Sequence, residues 1–383
     1  MKTPLLLFLA TAASLTAQEI ADPPSRNSYA GIIRNTPSDD HEHAGLFTAR
    51  LGARGALSAR LSWQGFDYAL GGALSAGGTL DRTLPKIGGG TFAVHLDAAA
   101  VPGKILVTVT DGAITSGTDA RPALYGPGSP SPWQPKYNGV VNHFPDLGFL
   151  PNTDGLVRVS PGGSVRYAAR LGDGTAYSAG SFLVAGDPRT FSDGTTLVIG
   201  DKFPLYTNLY RPGARGAVWG DGTVEDQRLL PPSSGPQDFH AAAGAFQWHR
   251  PAQPHGPQPN TAGQGAIRPF FLEYHAPAPG EPVVPLALPP LPPGLLTFTD
   301  GDLAAPINVS LDWNPLRQFV PAANPYEVRL FSETREGVFH GTLRHPVTHR
   351  TVFFNGVYRP LSGGIGTFSG PDHPGTVWLL GLD

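Results

Sequence analysis

With 383 residues, a net charge of −3 and only 15% charged residues, the chain has no basic surface suited to nucleic acid or an anionic membrane. Its 49 Gly and 41 Pro exceed a fifth of the sequence, against an average of about 12%, which excludes long helices. Cysteine is absent, and with it disulfides, thiol chemistry and a lipid-modified cysteine.

In chain order, Lys2, the apolar run Leu5 to Ala13 and the small residues Ser14 to Ala17 read as a signal peptide over residues 1–17, cleaved after Ala17. The apolar run is about nine residues, whereas a spanning helix needs roughly 20, and no second such run follows. The mature chain is therefore expected to lack a transmembrane helix and to be secreted, periplasmic or at the cell surface. Residues 18–27 read as a short disordered leader.

From Ser28 to Gly112 the pattern predicts seven short strands, among them Ala56 to Trp63, with Leu57, Ala59, Leu61 and Trp63 on one side and Ser58, Arg60 and Ser62 on the other. Residues 113–135, dense in Pro and Gly, read as a linker. A second lobe is expected over 136–383, with strands such as Val165 to Leu171, Leu205 to Tyr210 and Thr351 to Tyr358, and a polyproline crossing at 277–293. The expected fold is all-β, with antiparallel meanders forming two barrel-like or sandwich lobes. Three stretches, beginning near Phe47, Val157 and Val338, share one grammar in which a turn joins two alternating strands.

The string Gly162-Gly163-Ser164-Val165-Arg166 leading to Arg170-Leu171-Gly172-Asp173-Gly174-Thr175, then Pro204-Leu205-Tyr206 and Leu209-Tyr210, resembles an uncharacterised secreted Gly-rich β-repeat module of Verrucomicrobia-like bacteria. The closing segment is similar to that module's end: Gly337-Val338-Phe339-His340-Gly341, His345-Pro346-Val347-Thr348, Phe354-Asn355-Gly356-Val357 and Gly364-Ile365-Gly366-Thr367-Phe368. The resemblance runs from about residue 133 to the end, with 28–112 looking like a related half. It implies a secreted β module and brings no catalytic residue.

Candidate chemistry is sparse. Asp39, Asp40, His41, Glu42 and His43 form the densest polar cluster, and on an extended strand His41 and His43 would share a side and chelate one metal with a carboxylate such as Asp40. A solvated turn is the competing reading, since no spaced second ligand pair follows. Trp133, among prolines in the linker, is the candidate for stacking on a sugar; Trp63 and Trp378 read as core. His345 and His349 read as turn residues, and His240, His249, His255 and His275 show no pattern. No Gly-x-Ser-x-Gly occurs. Asp146, Asp173, Asp221, Glu225, Asp226, Glu273 and Asp312 offer many carboxylate pairs for a glycosidase, but Asp173-Gly174 and Asp221-Gly222 read first as tight turns.

The expectation is an exported, non-enzymatic structural or interaction protein without a cofactor, meeting an envelope or extracellular protein or a glycan. The alternatives are extracellular carbohydrate binding or glycoside hydrolysis and, behind these, an outer-membrane β-barrel. Against the last stand the short strands, Arg60, Arg166 and Arg170 on what would be one sheet face, and an ending of Gly381-Leu382-Asp383 where an aromatic residue is expected.

Overall fold

The structure, a computed structural model, describes residues 27–35, 40–133, 135–145, 152–191, 194–210, 216–229, 239–252, 262–278, 294–313, 319–359 and 363–381. The expected signal peptide, all but the last residue of the expected leader and most of the polyproline stretch lie outside them.

Alternating strands bury one side chain in two, and a sheet of such strands can cover its apolar face by curling on itself. The first eight strands do this: β1 (Ser28–Ile33), β2 (Gly45–Leu51), β3 (Ala56–Trp63), β4 (Phe66–Ala73), β5 (Thr79–Pro85), β6 (Thr91–Asp97), β7 (Ile105–Asp111) and β8 (Ile114–Pro122). Each pairs antiparallel with its sequence neighbour except across β4 and β5, and the first strand pairs with the last, Ala30 opposite Arg121. The result is an up-and-down barrel closed first to last, with a gap midway that is bridged by a hydrogen bond from the Arg82 guanidinium to the Gly71 carbonyl at 3.2 Å. Inside are Phe47, Leu61, Trp63, Phe92, Val94, Val107 and Val109, all nearly inaccessible. Full burial of such side chains contributes about 1.5–3 kcal/mol each.

The second barrel has β9 (Lys136–Pro145), β10 (Thr153–Val159), β11 (Ser164–Arg170), β12 (Ala176–Phe182) and the short β13 (Val184–Ala185). A side hairpin of β14 (Arg189–Thr190) and β15 (Thr196–Leu197) follows, then β16 (Gly200–Leu209), β17 (Gly216–Asp226), β18 (His240–Arg250) and β19 (Gly263–Glu273). Again the first strand, β9, pairs with the last, β19. The midway gap between β12 and β16 is crossed by Ser181 Oγ donating to Pro204 O at 2.5 Å and Thr207 Oγ1 donating to Ser178 O at 3.2 Å. Tyr167, Phe203, Phe246, Trp248 and Phe271 fill the interior.

The third barrel repeats the plan with β20 (Gly294–Asp300), β21 (Ile307–Trp313), β22 (Phe319–Pro321), β23 (Arg329–Glu333), β24 (Val338–Arg344), β25 (Thr351–Arg359), β26 (Gly363–Ser369) and β27 (Pro374–Gly381). β20 pairs with β27, and the gap falls between β22 and β23. Phe298, Phe339, Phe354, Phe368 and Tyr358 pack within.

The all-β, antiparallel, barrel-like expectation therefore holds, but the two lobes are corrected to three nearly closed barrel-shaped sheets. The stretch read as one C-terminal lobe contains two closures, because β19 returns to β9 and β20 opens a new meander that ends on β27. The stretch read as a linker holds β8, which completes the first barrel. No helix among the described residues is long and apolar enough to cross a membrane.

Candidate functional site

The face where the first two barrels meet brings several chemistry-bearing residues together. β1 is buried on both sides: Ile33 points into its own barrel, while Ala30 and Ile32 point at the second. Ala30 packs with Ala123, Phe182 and Val184, and Ile32 with Ala44, Tyr206, Ala217 and Trp219. A cavity of about 240 Å³ borders both patches. Its charged lining is Arg34, Asp119, Arg121, Lys202 and Asp221.

These charges are matched across the seam. Arg34 meets Asp221 at 3.2 Å, and Arg121 meets Asp187 at 2.5 Å and Asp119 at 3.4 Å. Lys202 also pairs with Asp187, and Lys104 reaches Asp119 at 2.6 Å. Burial works against ionised Asp187, but hydrogen bonds from Lys202 and Arg121 outweigh it and hold the carboxyl below its ordinary range. Such a notch can seat a small polar molecule.

His41 stands at the other end of this seam, in a 3-10 turn at His41–His43. It does not extend beside His43 as the strand reading requires. Its ring stacks on His249 of β18, with centroids 4.5 Å apart and planes 9° from parallel, and lies 5.7 Å from the Trp219 ring. Burial first, and the neighbouring His249 second, push the His41 imidazole down to about 4. His249 is also lowered by burial, against the pull of Glu42. Nε2 of His41 and Nδ1 of His43 are buried without a hydrogen-bond partner among the described residues. No group of three or more His, Asp or Glu among the described residues is arranged to hold a metal ion, Asp40, His41 and His43 included.

Trp133 is half-buried against the core of the second barrel. Its indole N–H donates to Asp201 Oδ2 at 2.5 Å, and the Tyr125 hydroxyl donates to the same oxygen at 2.6 Å. Its ring meets His240 edge to face at 5.4 Å. The ring is thus a wedge at a barrel mouth rather than a free platform.

Three of the histidines that lacked a pattern acquire partners in the fold. His240 Nδ1 lies 3.1 Å from Glu273, whose other oxygen is 3.4 Å from His275, and Arg228 Nη2 lies 3.0 Å from His240 Nε2. Antiparallel register produces this cluster, since Asp226 ends β17 opposite His240 at the start of β18, with Glu273 ending β19 beside them. At the opposite mouth Asp173 is 3.7 Å from Arg250, accepts from Tyr210 at 2.7 Å and is almost fully buried; Trp248 donates to Tyr210 at 3.0 Å. Of the carboxylates weighed as glycosidase pairs, Asp173, Asp221, Glu225, Asp226 and Glu273 thus carry cationic or hydrogen-bonding partners, and Asp146 lies outside the described residues. Asp221 is not in a turn. It sits within β17, where Gly220 and Gly222 make room for the Phe246 and Phe203 rings.

The second and third barrels meet as closely. Asn138 Nδ2 and Arg158 Nη2 donate to the carbonyls of Gly337 and Glu336 at 2.8 Å each, and Val140 packs on Val357 and Ile365. Asp154 is buried there, with Thr367 Oγ1 at 3.4 Å, and burial raises its carboxyl to about 6 against the pull of Arg170.

No family model and no curated protein matches the chain. Among solved structures it overlaps one described as a putative outer membrane protein from Bacteroides fragilis, at 10% identity and a TM-score of 0.19, over 66% of this chain and 97% of that one. The overlap is too loose to bear on fold or function.

Proposed function

We propose that the chain is a non-enzymatic structural or interaction protein, exported to the cell envelope or beyond, whose three barrels turn polar outer faces to water. The observation that carries this reading is the direction of the strand faces. The interiors are apolar, while Arg60, Asp81 and His95 of the first barrel, Arg166 and Arg268 of the second, and Asn308, Glu333 and Arg344 of the third point out to solvent. A lipid-embedded barrel needs the reverse, an apolar belt about 25 Å tall around its outside. The N-terminal pattern of Lys2, Leu5 to Ala13 and Ala17 supports export. The test is to refold residues 18–383 without detergent and float the product with phospholipid vesicles. A soluble monomer with sheet circular dichroism that stays below the vesicles is expected; folding only in detergent, with flotation, would reinstate the membrane barrel.

A second reading, glycan binding, is favoured by the outer face of β23 to β25. Phe353 and Phe331 are 65% and 55% exposed there, and Phe331 stacks on His340 at 5.5 Å and 22°. Arg329, Thr342 and Asn355 flank them in register. A glycan array on the wild type beside Phe353→Ala and Trp133→Ala tests it. Binding lost only with Phe353 would place the site on this face, and absence of binding would remove the reading.

A further inference from the structure

We infer that the junction of the first two barrels is an acid-sensitive joint, held shut at one end by the stacked His41 and His249 rings and at the other by ion pairs.

The argument starts from the stack. Two imidazoles lying face to face at 4.5 Å with Trp219 against one of them form an apolar plug only while both rings are neutral. A proton on each would set like charges in contact inside a site where His41 is 7% exposed. The added N–H would also lack an acceptor, since Nε2 of His41 is already buried without a partner among the described residues.

The charged groups around the stack do not offset this. On the turn itself are Asp40, Glu42 and His43; from the β7 end Asp111, paired with Lys86 at 2.5 Å, faces His43. β17 contributes the uncharged Trp219, and its Asp221 is engaged by Arg34. On β18 Arg250, beside His249, is turned inward to Asp173. Among the described residues Glu42 alone acts favourably on His249, and its backbone carbonyl is tied to Gln64 at 2.7 Å.

The two ends therefore answer acid differently. A ring that binds its proton near pH 4 when closed, and near 6.5 when open, loses roughly 300-fold in its closed-to-open ratio as pH falls across that window. The carboxylates at the far end are held ionised by Arg121, Lys104 and Lys202, below their ordinary range, so they keep their charge over the same window. Acid should open the histidine end first, exposing Ala44, Tyr206 and Trp219, while the Arg121 end stays closed.

The experiment is hydroxyl-radical footprinting read by mass spectrometry on the full mature chain at pH 7.0, 5.0 and 4.2, with far-ultraviolet circular dichroism alongside. The expected result is a reversible gain in labelling, tenfold or more, at Tyr206 and Trp219 at pH 4.2, with Phe182 and Val184 still protected and the sheet signal intact. His41→Phe, which keeps a flat ring and cannot titrate, should abolish the change. Should that variant fold poorly, His249→Phe and the His41 titration by carbon-13 imidazole NMR take its place. Unchanged protection at pH 4.2, opening of both ends together, or opening that persists in the phenylalanine variants would each overturn the inference.

Discussion

The indole of Trp133 and the hydroxyl of Tyr125 donate to one oxygen of Asp201, so two residues of the segment between β8 and β9 are fastened to the start of β16 at a single carboxylate. Trp133→Phe should keep the packing and lose one charge-assisted hydrogen bond, costing about 1.5–3 kcal/mol. Trp133→Ala should cost about 3–4 kcal/mol. Urea unfolding checks both, and an unchanged midpoint for the alanine variant would show that the wedge carries no load.

The Asp173 and Arg250 side chains are 2% and 3% exposed, at the far mouth of the second barrel. Removing one charge strands the other, so Arg250→Met should cost about 3–5 kcal/mol. Adding Asp173→Asn should recover a large part of that loss. A double-mutant cycle by chemical denaturation reads the coupling, and additive losses would refute it.

Asp154 sets a pH dependence of definite sign. Its carboxyl is raised from 3.8 to about 6 in the folded chain, chiefly by burial, so the folded state binds the proton more tightly than the unfolded one. Its contribution to stability is best below about pH 4, falls as pH rises to about 6 and is level above. Asp154→Asn should therefore stabilise the chain by about 2–3 kcal/mol at pH 7 and by little at pH 4. Thermal unfolding at the two pH values decides; an equal shift at both would exclude the titration.

Gly337 has φ +71°, and a Cβ there would lie 2.2 Å from Asn138 Nδ2 and 2.7 Å from the Tyr274 ring. Gly337→Ala should cost about 2–4 kcal/mol through strain and displacement of Asn138. It should also loosen the second seam, which limited proteolysis would report as cleavage between the second and third barrels. A variant as resistant as the wild type would mean that the seam accommodates the methyl group.

The strands of the first barrel are legible because their alternation is clean: Ala56–Trp63 is the same span by pattern and by structure. The three repeats near Phe47, Val157 and Val338 mark one barrel each, so the number of units was present in the sequence. It was obscured where glycine and proline serve packing instead of turns. β8 ends in Pro122, and Gly139 in β9 leaves no room for a Cβ beside the Phe270 carbonyl. β19 contains Pro269, and the β18–β19 ladder lapses at that point, which lets a proline stand in an interior strand.

Site chemistry was less legible for a different reason. His41 meets His249 across the seam between two barrels, and His240 meets Glu273 through barrel register, over sequence distances that no local pattern spans. The pairing of His41 with His43 rested on an extended strand, whereas the chain makes a 3-10 turn there. Trp133, read as a sugar-stacking candidate because prolines surround it, is held by Asp201, an acid nearly seventy positions away.

In every barrel the closing pair joins its own first and last strands. A nascent or refolding chain thus cannot finish a barrel until that unit's final strand is available, yet it need not wait for the next unit. Assembly should advance in three discrete steps along the chain, each ending with a long-range closure that is slow compared with hairpin formation. The seams can form only after these closures, since each is built from the outer faces of strands on both sides. A truncation that removes β27 would then cost the third barrel its closure and leave the first two barrels, and the histidine joint between them, complete.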